Sequence, residues 1–488
     1  MTRGTVKSTL LPDIVWVVND HQLHAGSCID LSLYRLQARL SRSGIAFTNA
    51  RTVLPICSPA RASMLTGLYP HEHGVTENDG RFGGRAGLTP DDWTFNRAFE
   101  RAGYSCAWFG KWHVNNQLTA RDFGFAGFAP AGYGYPYGTP EYRDYLARCG
   151  LEAPMAQVTI PGESHLKIGT RVPLLESGDW FDDVSGALTL EGSVLAHESH
   201  FVVDEARRWF AATSGPKLVR VDPWGPHPPY LLGGAYTDLD ALSSVRLPEN
   251  FHSDLSHRPQ HHRRYRDEWR NALGMELDMW LRMRRAALAQ ALLIEAAVDQ
   301  WVEQLDPERT VVVFTCDHGD AVASNGGVAN KGSLMVEATM SIPLLMMGPG
   351  IRAHQSSDAL ASNMDIVPTL LAHVGVSHDR SFHGKDLSPV LRGECTQVRQ
   401  GFMAQHFGLH EPISQRAWYE ESWKLVMQPD GQSELYNLST DGQELSNLAG
   451  SLEHRSRLLT LRNNLENAMR EVNDTPSWPS EHATTSLS

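Results

Sequence analysis

Four short apolar runs, residues 14–18, 218–221, 311–315 and 342–347, alternate along the chain with stretches of helical period. Such runs have almost no polar face to offer water, so they are expected as strands covered by helices on both sides, the habit of a parallel sheet. The fold class that follows is α/β: a large, mostly parallel (mixed) sheet sandwiched by helices, with candidates at 31–41, 61–65, 93–102, 202–210, 280–305 and 364–373. The first three runs are closed by Asp20, Asp222 and Asp317. Open α/β sheets bind ligands at the carboxyl ends of their strands, so Asp20 and Asp317 are expected to meet although most of the chain lies between them. Residues 133–142, rich in Gly, Tyr and Pro, and 151–190, without a clean period, read as an extended loop insertion beside the cleft, where selectivity for substrate is expected. Residues 252–270, crowded with His and Arg, read as an exposed charged helix without assigned function. Composition shifts after about Leu391, which divides the chain into a catalytic domain, 1–393, and a smaller C-terminal α+β subdomain, 394–488, ending in a mobile tail from 476.

With 488 residues, 41% of them hydrophobic and 20% charged, the chain can bury a large core. A net charge of −13 and a pI of about 5.9 make the average surface repel nucleic acid and anionic lipid, so neither is expected as a partner, and an anion site must be a local cationic pocket. The run at 14–18 is too short for a signal-peptide core, and no apolar stretch reaches the roughly 20 residues that span a bilayer. A cytoplasmic protein without membrane insertion is expected. The six cysteines, Cys28, Cys57, Cys106, Cys149, Cys316 and Cys395, are widely spaced, which suggests neither a disulfide framework nor a zinc knuckle; most are expected to be small buried hydrophobes. The sequons at Asn437 and Asn473 are set aside with the missing leader.

The chemistry concentrates at Cys57-Ser58-Pro59-Ala60-Arg61. Pro59 suits a first helical turn, and a helix starting here would aim free N–H groups and a partial positive charge at whatever lies beside Cys57, with Arg61 adding a permanent cation. That environment suits an anionic substrate. Asp20, Asp317 and His318 make a divalent-metal cluster, since carboxylates and an imidazole at strand ends suit a hard or borderline cation. Lys111 and His113, two apart, would face the same side of an extended segment.

The pentapeptide, continued by Ser63-Met64-Leu65-Thr66-Gly67-Leu68-Tyr69-Pro70 and His73-Gly74-Val75, resembles the signature of type I sulfatases, members of the alkaline phosphatase superfamily. The resemblance runs in order through Asn19-Asp20-His21, Phe109-Gly110-Lys111-Trp112-His113, Pro226-His227-Pro228-Pro229-Tyr230, Phe314-Thr315-Cys316-Asp317-His318-Gly319-Asp320 and Pro343-Leu344-Leu345. It reaches Trp423-Lys424-Leu425-Val426, Glu434-Leu435-Tyr436-Asn437-Leu438 and Glu444-Leu445-Ser446-Asn447-Leu448, and so covers about residues 12–450.

What the resemblance implies is a sulfuric-ester hydrolase in which Cys57 is oxidised to formylglycine by a formylglycine-generating enzyme. One divalent cation, Ca2+ first and Mn2+ or Mg2+ as alternatives, would be held by Asp20, Asp317, His318 and residue 57, with Asn19 as a further candidate. The hydrated aldehyde would attack sulfur after one hydroxyl yields its proton to Asp317, and the second hydroxyl would expel sulfate. Arg61, Lys111 and Lys331 would steady the sulfuryl oxygens, His113 would orient the diol, and His227 would lie at the leaving-group oxygen. Asn19 stands where aspartate is common and His318 where asparagine is common, departures that resemble the choline sulfatase and phosphonate monoester hydrolase branch. Asn78 fits that branch's substrate-pocket asparagine, and its members are commonly homo-oligomers. A phosphonate monoester or phosphodiester hydrolase is therefore the alternative, and a catalytically silent anion-binding protein a more distant one. Gly-Lys-Trp-His at 110–113 favours sulfate over phosphorus esters, and the expected cytoplasmic address favours a small ester over a polymer.

Overall fold

In the computed structural model, residues 11–23, 31–162, 166–176, 186–428 and 430–476 are described. Cys28, residues 1–10 and the tail from 477 lie outside them. The strand Asp13–Asn19 is the centre of the molecule: all seven residues are buried, and the twofold period of a strand divides them between two layers. Ile14, Trp16 and Val18 pack with Met64, Leu65, Phe99 and Leu370 on one face. Val15 and Val17 pack with Leu36, Leu40, Val202, Ala206, Val298 and Val302 on the other. Helices Cys57–Thr66, Asn96–Arg101 and Ile366–Val374 thus cover one side, and Arg35–Ser43, Glu198–Ala212 and Leu277–Val302 the other.

The sheet has eight strands in the order 355–357, 44–47, 344–347, 310–316, 13–19, 217–222, 105–110, 126–128. The central strand pairs in parallel with Lys217–Asp222 and Thr310–Cys316, and Ser105–Gly110 runs parallel beside Lys217–Asp222. Leu344–Met347 is antiparallel to both neighbours. The sheet is therefore mixed, and this apolar run offers its amino end, rather than its carboxyl end, to the site edge. The other three runs and the strand Ser105–Gly110 end together, which delivers Asn19-Asp20, Lys111, Asp222 and Asp317 to one rim. Backbone bonds sew this rim: Lys111 N donates to Asp222 O at 2.7 Å, Asp317 N to Asn19 O at 3.2 Å and Asp20 N to Gly225 O at 3.1 Å.

Three expectations need correction. Residues 151–190 are not simply an extended loop: Met155–Ile160, Arg171–Pro173 and Ala187–Glu191 join Tyr230–Leu232 in a second, four-stranded sheet. Ala156, Val158 and Ile160 are its buried face, an alternation of only three small or branched residues. Residues 140–149, next to the Gly-Tyr-Pro segment, form a helix with Thr139 as its cap. The charged segment does fold as a helix, Gln260–Leu273, but it buries His261, His262, Tyr265 and Trp269. These apolar and aromatic residues at helical spacing are masked in the sequence by the arginines between them.

An antiparallel sheet of Gly401–Gly408, Pro412–Glu420, Trp423–Met427 and Ser433–Asn437, with helix Arg455–Glu471, forms the smaller α+β part. It packs on the segment that leads into Cys57 through Val53, Leu54, Ile56, Phe402, Ala404 and Leu425. A buried ion cluster adds to this junction, in which Lys424 Nζ bonds Glu444 at 2.7 Å and Glu337 at 3.2 Å. Of the described cysteines, Cys57, Cys106 and Cys316 are buried and all five are unpaired. Among the described residues no helix is long and apolar enough to cross a membrane.

Candidate active site

The Cys57 helix is buried along its whole length, so its sequence of small residues serves close packing rather than an amphipathic stripe. It starts at Cys57 after an extended Ile56 and stops at Gly67, whose φ of +70° and N–H to Ser63 O close the last turn. A side chain at Gly67 would also meet Phe382 at 2.6 Å. Asn78 Oδ1 accepts from Ser58 N at 3.1 Å. The side chain expected in a substrate pocket thus occupies one of the free donors at this helix start.

Cys57 Sγ lies 3.2 Å from His318 Nε2 and 3.7 Å from Asp20 Oδ1. Ligand atoms of Asp20, Cys57, Asp317 and His318 all fall within 4.8 Å of one another. Lys111 Nζ donates to Asp20 Oδ2. Lys331, 3% exposed, puts Nζ 3.5 Å from His227 Nε2, and His227 Nδ1 faces Pro228 O at 2.6 Å. His113 has φ +48° rather than an extended backbone. It still meets Lys111 at Tyr133, which its ring contacts edge-on at 5.3 Å and over which Lys111 Nζ sits 4.1 Å from the centroid.

Two of the three guanidinium nitrogens of Arg61 bond the protein, and the third, Nη2, is buried without a partner. Its Nε donates to Asp317 Oδ2 at 2.9 Å and its Nη1 to Asp222 Oδ2 at 2.8 Å and Lys111 O at 3.1 Å. Asp222 also accepts two bonds from Arg220 at 3.0 and 2.6 Å, and that guanidinium lies between the rings of Trp16 and Trp108. Asn19 is buried; its Nδ2 donates to Gln22 Oε1 at 3.0 Å while its Oδ1 has no partner.

Charge explains the protonation pattern. Burial pushes the Cys57 thiol up, but the ammoniums of Lys111 and Lys331 outweigh it and hold the group well below its ordinary value. Burial likewise opposes ionisation of Asp20, which Lys111 and the neighbouring cations pull well below the carboxylate range. Asp317 moves the other way, raised by burial and by the charge of Asp20. Burial, with the two lysines adding to it, lowers His227 to about 3, so its imidazole is neutral. Lys331 is raised despite burial because Cys57, Asp20 and Asp317 surround it with negative charge.

Two buried carboxylates, a low-pKa sulfur and an imidazole converging on one point are a donor set for a divalent cation, and the unpartnered Asn19 Oδ1 adds a buried acceptor to this rim. The Asp20–Asp317 repulsion is what such a cation would relieve. The sequence reading gave no individual role to three residues at this rim, although His21 and Asp320 stand in its motifs and Tyr133 in the segment 133–142. His21, fully buried at φ +70°, has neither ring nitrogen hydrogen-bonded and lies 4.9 Å from the rings of both His227 and His318. Asp320, with Oδ2 3.8 Å from His21 Nδ1, accepts from Tyr230 Oη at 2.8 Å. Tyr133 comes from the irregular segment. Positive φ at a non-glycine is invisible in sequence, and no period marks a residue in a coil.

The sheet order and the helical layers define an alkaline-phosphatase-like α/β fold with a C-terminal strand subdomain. The profile of the sulfatase family matches residues 12–376, and that of the N-sulphoglucosamine sulphohydrolase C-terminal region matches 329–471. The chain belongs to the sulfatase family and is a sulfatase enzyme. It is 26% identical over 444 residues to an uncharacterized sulfatase of Escherichia coli K12, covering 89% of this chain and 81% of that one. With an N-acetylglucosamine-6-O-sulfatase of Bacteroides thetaiotaomicron it shares 22% identity over 530 residues, covering 96% and 88%. Among solved structures, a protein in complex with its substrate D-glucosamine-2-N,6-O-disulfate superposes with TM-score 0.72 at 19% identity, covering 96% and 99%. A phosphonate monoester hydrolase from Silicibacter pomeroyi superposes with TM-score 0.74 at 17% identity, covering 95% and 96%.

Proposed function

We propose that this sulfatase cleaves a small sulfate monoester with residue 57, matured to formylglycine, as nucleophile, and with a divalent cation held by Asp20, Asp317, His318 and residue 57. The observation that carries the reading is the convergence of these four side chains within 4.8 Å, flanked by two buried lysines. As formylglycine, position 57 supplies a hydrated aldehyde, a nucleophile that can later release the group it has captured. The cation, Ca2+ or alternatively Mn2+ or Mg2+, supplies positive charge beside that nucleophile.

The remaining work falls to the chain's own groups. Asp317 is the acceptor for the nucleophile's proton, and Arg61, bonded to its Oδ2, fixes the carboxylate in place. Lys111 and Lys331 present ammonium groups to the sulfuryl oxygens from two sides, where developing charge is met by preorganised donors. Lys331 Nζ carries a proton beside a neutral His227, so this pair is placed to serve the departing alcohol. Asn78 steadies the helix start beneath residue 57 through Ser58 N.

The Asp317-His318 pair and the likeness to a phosphonate monoester hydrolase favour a second reading, hydrolysis of phosphonate monoesters or phosphate diesters on the same groups. The retained Lys111 and His113 support sulfate. Turnover of an aryl sulfate, a phenyl phosphonate ester and a phosphate diester, each against a Cys57→Ala control, decides between them. Highest kcat/KM on the sulfate supports the first reading; preference for a phosphorus ester by tenfold or more, on the order of 1.4 kcal/mol in the barrier, overturns it.

A further inference from the structure

Tyr133 belongs to none of the motifs, yet it touches four of the groups assigned to the reaction. Lys111 Nζ lies 4.1 Å above its ring centroid, and the rings of His113 and His227 lie 5.3 and 5.1 Å from it. Its hydroxyl points to Asp20 Oδ2 at 3.4 Å and Trp224 O at 3.5 Å. The ring is held where it is: Trp224 Nε1 donates to Tyr133 O at 2.7 Å, and neighbouring Gly132 bonds His113 N at 3.0 Å and Asn115 O at 2.8 Å. Lys111 is the opposite case, a flexible stem ending in an ammonium whose carboxylate partner, Asp20, is also one of the cation's proposed ligands.

We infer that Tyr133 is a positioning residue whose ring face holds the Lys111 ammonium at the sulfate-binding position by a cation–π contact. An ammonium over an aromatic face is attracted by the ring quadrupole, and desolvation strengthens the contact. Lys111 is fully buried. When Asp20 turns to a cation, the ring still confines Lys111 to the rim, so the anion meets a donor already in place. The contribution belongs to the ring and not to the long hydroxyl contact. The inference rests on the reading of Lys111 as a sulfate ligand.

Binding of inorganic sulfate to the metal-loaded, formylglycine-bearing enzyme tests it, by calorimetry on wild type, Tyr133→Phe, Tyr133→Leu, Lys111→Met and the Tyr133→Leu/Lys111→Met double variant. Tyr133→Leu is expected to weaken sulfate by about 3- to 30-fold, Tyr133→Phe to leave it nearly unchanged, and the double variant to bind no more weakly than Lys111→Met alone. Equal losses in the Phe and Leu variants, or a Leu loss that persists undiminished beside Lys111→Met, overturn the inference. Turnover in the same preparation separates it from the hydrolase reading. Wild type that hydrolyses a sulfate ester while Tyr133→Leu binds sulfate normally sinks the role of Tyr133 alone. Wild type that binds sulfate with the expected coupling but turns nothing over sinks the hydrolase reading and leaves the role of Tyr133 standing.

Discussion

Arg61 and Cys57, four residues apart, carry different burdens at the residue scale. Arg61 joins Asp317 and Asp222, and all three side chains are fully buried, so removing the guanidinium leaves Asp317 without its cation. Arg61→Met is expected to lower the unfolding free energy by about 3–5 kcal/mol, read by chemical denaturation. Cys57→Ala leaves the Arg61 ion pairs intact and removes the nucleophile; turnover should vanish while the melting temperature stays within a few degrees, and retention of wild-type turnover contradicts its role. The acids and Cys57 were legible because each sits at a strand or helix end inside a dense motif. The inward bonding of Arg61 was not, because a guanidinium beside an anion site and one beneath it have the same sequence. His21 and Tyr133 were missed for a related reason: their placement depends on a left-handed backbone turn and a glycine-flanked coil.

The helix Cys57–Thr66 depends on its ends. Asn78 satisfies one N–H at its start, and a cap of this kind contributes about 1 kcal/mol. Asn78→Ala should lower stability by that amount and reduce kcat with it, since the same bond holds residue 57; a variant as stable as wild type contradicts the cap. At this scale the long or apolar elements were legible: the strands at 13–19 and 310–316 are buried on successive residues, and helix Leu277–Val302 shows in its length and its one apolar face. The second sheet was not, since strands of three to six residues leave hardly any period. The direction of Leu344–Met347 was equally hidden. An apolar run reports burial, whereas direction is set by the connections on either side.

For the whole molecule, buried acids set the response to pH. Burial raises Glu198 to about 8, from an ordinary value of 4.5 in the unfolded chain. A raised folded value contributes stability in full below about 4.5, and that contribution is lost as pH rises toward 8. Glu198→Gln keeps an acceptor for Gly225 N and places an amide at the unpartnered Oε2. It should match wild type near pH 4 and exceed it by a few kcal/mol at pH 8–9; a gain that is independent of pH contradicts the assignment. The convergence of Asp20 and Asp317 makes a bound cation a stabiliser of the entire fold. Free metal at about a hundredfold above Kd contributes about 2.7 kcal/mol, so chelation should lower the melting temperature and re-addition restore it.

The central claim is that residue 57 is the modified nucleophile of a sulfuric-ester hydrolase. Mass spectrometry of the tryptic peptide spanning residues 52–61, from protein coexpressed with a formylglycine-generating enzyme, tests it most directly, because Cys57 is the only cysteine it contains. The expected result is the aldehyde or its hydrate at position 57. An unmodified thiol, with a control sulfatase converted in the same cells, would contradict it.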